Sequence, residues 1–244
     1  MKKIVIVGAS SGIGYAVAEA FASRGVKVGV AARRTEKLEK LHEKYPESIV
    51  VERIDICSPQ AVEALNRLIN RLGGMDIYFH AAGIGYKNPL MNPEEEVRIV
   101  NTDATAFARM ICAAYNYFAD NGIAGRIAAI TSVAGTKGIG TMSAYSASKC
   151  FDSAYLEALD QLSRMKKQDI SFTDIRPGWT RTPLLEDNRK YPLEMKLSEI
   201  VPQIIRAIVR KRRVAVIDFR WNLLVGLWQL IPHSVWVRMK INAE

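Results

Sequence analysis

Lys3-Ile4-Val5-Ile6-Val7-Gly8-Ala9-Ser10-Ser11-Gly12-Ile13-Gly14 is the stretch on which the fold turns, and an apolar-periodic segment runs on from it to Phe21. The run from Lys3 to Val7 has no polar alternation after its first residue, the pattern of a strand covered on both faces. Gly8, Gly12 and Gly14 then permit a sharp turn and let backbone amides approach a pyrophosphate. That anion would rest at the positive end of the helix that starts here. The spacing, a glycine, three residues, a glycine, one residue and a glycine, differs from the commoner dinucleotide fingerprint. A glycine loop alone serves as readily as a tight turn. The strand before it and the helix after it are what point to a nucleotide.

Outward from this unit the same alternation repeats. Short valine- and isoleucine-rich runs near residues 26–31, 48–54, 75–80, 126–131 and 170–175, and a seventh near 213–217, are separated by segments of helical length. Right-handed crossovers turn such a series into an α/β fold: one Rossmann-type, doubly wound parallel sheet of seven strands with helices on both faces. With 244 residues, 49% of them hydrophobic, the chain can bury one full core. We therefore expect a single dinucleotide-binding and catalytic domain over residues 1–244, with 219–244 as its apolar carboxyl-terminal extension. No internal repeat, low-complexity tract or linker interrupts it.

In Tyr145-Ser146-Ala147-Ser148-Lys149 a phenol and an ammonium lie four residues apart, on one face of a helix. Model phenols lose their proton near pH ~10, and an adjacent cation favours the phenolate, which moves the group toward acid-base work near neutrality. By itself the spacing fits a packed ring beside a solvated lysine stem equally well.

Taken together, the glycine loop, the Tyr145/Lys149 pair, Ser132 in Ile130-Thr131-Ser132, Asn101 in Val100-Asn101-Thr102, Asp55 after Arg53-Ile54, and Pro177-Gly178 with Thr182 resemble the classical short-chain dehydrogenase/reductase family, over residues 2 to about 218. The resemblance implies a catalytic set of Asn101, Ser132, Tyr145 and Lys149. It also implies a dinucleotide held by Gly8, Ser10, Ser11, Gly12, Ile13 and Gly14, by Arg33 and Arg34, by Asp55 and Ile56, and by Ala82 and Gly83. Tyr145, Lys149, Pro177, Gly178, Thr180 and Thr182 complete that set. Two departures stand out: Val7 where the family has threonine, and His80-Ala81 where it has two asparagines. The second leaves a strand-end hydrogen bond to backbone or water.

On this resemblance a carbonyl would sit between the Ser132 hydroxyl and the Tyr145 phenol, with Tyr145 protonating its oxygen as hydride reaches its carbon. Lys149 would hold the ribose and lower the phenol's pKa. Asparagine is a mediocre helix former, so Asn101 in mid-helix suggests a local irregularity holding a water linked to Lys149. The choice of dinucleotide is read at Val30-Ala31-Ala32-Arg33-Arg34: Ala32 stands where an NAD enzyme places a carboxylate, and a guanidinium accepts a 2′-phosphate, so NADP(H) is expected. The competing reading of the arginines is a solvated loop. The function is thus an NADP(H)-dependent oxidoreductase interconverting a small-molecule carbonyl and a secondary alcohol, a lipophilic or acyl compound included. The alternative, a non-catalytic NADP-binding regulatory protein, predicts a damaged catalytic set, and this one is complete.

Cys57, Cys112 and Cys150 are scattered without zinc or redox spacing and read as buried reduced thiols. His42, His80 and His233 form no ligand pattern, so no metal is expected. Asp152 and Glu157, further along the helix of Lys149, read as solvent or subunit contacts. The start of the chain is too short in apolar residues for a signal peptide, which points to the cytoplasm. Residues 160–244 carry 16 Lys and Arg against 9 Asp and Glu, most of the net charge of +9. No nucleic-acid reader motif accompanies that charge, so no nucleic acid is expected. The segment between Trp179 and Lys196, with Arg181, Arg189, Lys190 and Tyr191, reads as a short basic lid. Beyond it, Trp221 to Ile231 is an apolar run too short for the roughly 20 residues a bilayer needs. It can pack over the substrate mouth, form a subunit contact, or touch a membrane surface peripherally through residues 221–240, packing and subunit contact ranking first. The resemblance further implies a homodimer or homotetramer, in which the extra segment would obstruct one usual contact.

Overall fold

The computed structural model describes residues 2–182 and 191–241. Seven strands, β1 (Lys3–Val7), β2 (Lys27–Ala32), β3 (Ile49–Arg53), β4 (Ile77–His80), β5 (Gly125–Ile130), β6 (Ile170–Pro177) and β7 (Val214–Ile217), form one sheet in the order β3-β2-β1-β4-β5-β6-β7. Every pairing is parallel. The connections are α1 (Gly12–Ala22), α2 (Glu36–Lys44), α3 (Ala61–Leu72), α4 (Pro93–Val100), α5 (Ala106–Asp120), α6 (Ser143–Met165) and α7 (Leu197–Val209). Two further helices, α8 (Phe219–Gln229) and α9 (His233–Trp236), follow the last strand.

The pleat divides the core in two. Ile4 and Ile6 face α1, α2 and α7, joining Val17, Phe21, Leu38 and Ile204. Val5 and Val7 face the other way, onto α3, α5 and α6, with Leu65, Leu68, Phe107 and Leu156. Both faces of β1 are therefore dry, which is why its sequence shows no alternation. Strand order reverses between β1 and β4, and at such a switch point the chains diverge above the carboxyl ends of the strands and leave a crevice. The glycine loop leaves β1 there.

Two expectations are corrected here. Cys57, Cys112 and Cys150 are exposed rather than buried, because Cys57 sits in a turn and the other two on outward helix faces. Asp152 is fully buried; three residues after Lys149, it shares that residue's face of α6 and turns inward with it. The irregularity expected at Asn101 is a π-helical turn over Asn101–Thr105, between α4 and α5.

Candidate active site

Gly8 has φ +91, and a β-carbon there would stand 2.3 Å from the backbone nitrogen of Ala82, so the loop can cross the end of β4 only without a side chain. A β-carbon on Gly14 would lie 2.3 Å from the Gly8 carbonyl oxygen, which fixes how closely α1 sits under the loop. No amide of the first turn of α1 donates to the Ser11 side chain, and those amides have no intrahelical acceptors. The cleft above them, about 450 Å³, is lined by Gly8, Ser10, Ser11, Gly12 and Ile13. Arg33 and Arg34 line it from the end of β2, Asp55 and Ile56 from that of β3, Ala82 and Gly83 from that of β4, and Tyr145, Lys149 and Thr182 close it. Amides at a helix N-terminus and two exposed guanidiniums with no carboxylate at Ala32 fit a phosphate-bearing dinucleotide.

At the inner end, Lys149 Nζ lies 5.8 Å from the centre of the Tyr145 ring. Ser132 is close enough to the Tyr145 hydroxyl to lower its pKa, and Ser132 Oγ, just past β5, accepts from the Ala134 amide at 3.1 Å. The ring rests on Gly85, where a β-carbon would come within 2.6 Å of it. Lys149 is buried between two carboxylates, Asp103 at 3.2 Å and Asp152 at 3.0 Å. Asn101 does not join them. It is exposed, off the cleft; within the π-helical turn it is Asp103 that turns inward to Lys149.

This surplus of carboxylates alters the electrostatics. Burial alone would lower the Lys149 pKa, but Asp103, Asp152 and Tyr145 raise it above the ordinary lysine range, so the ammonium is permanent. Burial also lifts Tyr145 above the usual phenol value; Lys149 and Ser132 pull it down, while Asp103 and Asp152 push it up again. The expected tuning toward neutrality is thereby reversed, chiefly because burial disfavours the phenolate more than Lys149 favours it. Burial raises Asp152 to about 7 against the pull of Lys149, and raises Asp103 as well. His80 is held neutral, its pKa lowered to about 3 by burial and by Lys149, with its Nδ1 3.0 Å from the Tyr78 hydroxyl. The strand-end bond at Ala81 is made by backbone, its amide donating to the Val7 carbonyl at 2.8 Å. Among the described residues no cluster of His, Cys, Asp and Glu could hold a metal ion.

After β6 the chain turns behind the cleft. Of the residues assigned there, Thr182 lines the cleft, opposite Gly12, whereas Pro177, Gly178 and Thr180 do not reach it. Gly178 is covered by the Trp221 indole of α8, 2.1 Å from where a β-carbon would be, and Thr180 bridges to Met195. Trp179 stacks on Tyr191 with ring centres 4.4 Å apart. Arg181 pairs with Glu194 at 2.5 Å within the same segment; Arg189 and Lys190 lie outside the described residues.

Sequence and structure comparisons agree with this geometry. The model of the short chain dehydrogenase family matches residues 2–192. An uncharacterized oxidoreductase of Myxococcus xanthus is 31% identical over 91% of this chain and 88% of its own length. An alcohol dehydrogenase from Thermococcus sibiricus, solved with 5-hydroxy-NADP, superposes with a TM-score of 0.76 at 25% identity, covering 88% of this chain and 94% of that one. The bulky-bulky ketone specific alcohol dehydrogenase of Comamonas testosteroni gives 0.76 at 25% identity, covering 100% of this chain and 97% of its own. An all-parallel sheet with a glycine loop at its switch point, a Tyr145/Lys149 pair on the helix after β5 and a family match over most of the sequence lead to one conclusion: the chain belongs to the short-chain dehydrogenase family of oxidoreductases.

Proposed function

We propose that the protein interconverts a lipophilic ketone or aldehyde and its alcohol with NADP(H), using Tyr145 as the acid and base. The observation that carries this reading is the Tyr145 hydroxyl, with Ser132 beside it and the buried Lys149 as its neighbour, at the inner end of an amide-lined cleft. A bound nicotinamide would supply or accept the hydride. In reduction, Tyr145 donates its proton to the carbonyl oxygen while Ser132 donates a second hydrogen bond to it, stabilising the charge that develops there. A phenol whose pKa lies above 10 is fully protonated at neutral pH, which suits a proton donor. Lys149, fixed by Asp103 and Asp152, presents a permanent cation to the ribose side of the cleft.

Arg33 and Arg34 beside Ala32 support NADP(H) over NAD(H), since a guanidinium fork accepts a 2′-phosphate and no carboxylate repels it. The 5-hydroxy-NADP in the archaeal relative's structure is in line with this. The ketone specificity of the Comamonas relative supports a lipophilic substrate.

The test is a screen of ketones and aldehydes with NADPH and with NADH, run on the parent and on Tyr145→Phe. The parent should reduce apolar ketones with NADPH at least about tenfold more efficiently than with NADH. Tyr145→Phe should keep NADPH affinity and lose at least about a hundredfold in kcat. Turnover near the parent rate in the variant, or equal efficiency with both dinucleotides, would reject the respective assignment.

A further inference from the structure

The tail is apolar on both its faces. Its three tryptophans point inward: Trp221 to Trp228 and Trp228 to Trp236 have ring centres 6.4 and 5.9 Å apart. Trp228 donates to Thr136 Oγ1 at 2.9 Å, and Trp236 donates to the Gly138 carbonyl at 2.7 Å. These bonds fasten α8 and α9 to the loop after β5, beside the catalytic end of the sheet. The outward face is apolar as well. Leu223 and Leu227 are more than half exposed and Leu230 is 79% exposed, and Val237 and Met239 continue the patch. On the loop after β4, at the same end of the sheet, Leu90 is 92% exposed. A helix that is hydrophobic all round is buried on every side in its working state, and here the body of the protein covers only the tryptophan side.

Charge indicates what covers the other. Residues 219–241 contain no Asp or Glu and carry Arg220, Arg238 and Lys240. Arg220 is paired with Asp218 at 2.7 Å, while Arg238 and Lys240 are exposed at the end of the patch. Two copies meeting through this face would bring the same cations together with no acid in the patch to answer them. Exposed leucines flanked by cations instead match the boundary of an anionic bilayer, into which an apolar face sinks about 5–10 Å. Among the described residues no helix is long and apolar enough to cross a membrane, so the contact lies on the surface.

We propose that the outer face of α8 and α9 docks the protein on anionic lipid bilayers, with its substrate mouth at the membrane surface. The tryptophans serve as the staple that holds the tail to the body, and the leucines as the part that enters the lipid. The proposal is independent of which dinucleotide the cleft takes.

The test is co-sedimentation of the full chain with vesicles of phosphatidylcholine alone and of phosphatidylcholine with phosphatidylglycerol, at low and high salt. Light scattering of the lipid-free protein gives its oligomeric state. We expect sedimentation with the phosphatidylglycerol vesicles, weakened by salt and lowered at least about tenfold in the triple variant Leu223→Ser, Leu227→Ser, Leu230→Ser. The variant should keep the parent's unfolding midpoint, nucleotide affinity and oligomeric state. Absence of binding, equal binding to both vesicle types, or undiminished binding by the variant would each overturn the proposal. So would a smaller assembly of the variant in lipid-free solution, which would identify the face as a contact between copies of this chain.

Discussion

Asp152 shows how much one buried carboxyl can change. The sequence places it three residues after Lys149, and that spacing was enough to bring it onto the lysine's face of the helix, yet an exposed acid was the natural expectation for a mid-helix Asp. In the folded chain it keeps its proton to about pH 7, and unfolded it loses it near 3.8. Its contribution to stability is therefore complete below about pH 4 and is lost as pH rises to about 7, because over that window the unfolded chain releases a proton that the folded chain retains. In Asp152→Asn that loss is absent. The variant's stability relative to the parent should climb between pH 4 and 7, by on the order of 4 kcal/mol if the whole shift is expressed. Urea titrations at a series of pH values measure this, and a difference that stays flat across the window would mean that Asp152 is ionised throughout. Asp103 was hidden for a different reason. Asn101 drew attention through its motif, and the side-chain direction past a π-helical turn does not follow from ordinary helical spacing.

At the level of elements, α8 illustrates the limit of pattern reading. Its sequence, Phe219 to Gln229, has apolar residues on all sides, so periodicity assigns no inner face. The structure selects the Trp221 side because Gly178, at the end of β6, leaves a recess that the indole fills. Trp221 also donates to the Leu193 carbonyl at 3.1 Å, which ties the segment after β6 to the tail. Gly178→Ala should displace the indole, costing about 1–3 kcal/mol of stability and shifting tryptophan emission to longer wavelength as the cluster loosens. A variant with the parent's emission maximum and unfolding midpoint would show that Trp221 does not occupy that recess.

Over the whole molecule, the cleft collects residues from the ends of β1, β2, β3 and β4 and from α6. A dinucleotide bound there touches segments far apart in sequence and has no comparable site on an unfolded chain. At a hundred times its dissociation constant NADPH should stabilise the protein by about 2.7 kcal/mol, which for a chain of this size raises Tm by roughly 5–10 °C. The same concentration of NADH should raise it less, because Arg33 and Arg34 then lack a phosphate to bind. Thermal unfolding with each dinucleotide measures both effects, and equal shifts would remove the arginines from cofactor selection.

The sequence by itself determined the parallel sheet, its seven strands and the cleft at the glycine loop. Those follow from local facts: β-branched runs with both faces dry, glycines where a backbone must pass another, and an aromatic and a lysine one helical turn apart. Only the tertiary structure decided which charges Lys149 meets, which side of the tail is its core side, and that the phenol is pushed above rather than below its ordinary pKa. Each of these depends on burial and on groups brought together from distant segments, such as Asp103 to Lys149 and Trp221 to Gly178. A pKa or a buried face is set by the whole surroundings of a group, and linear spacing specifies only the part supplied by its own helix or strand.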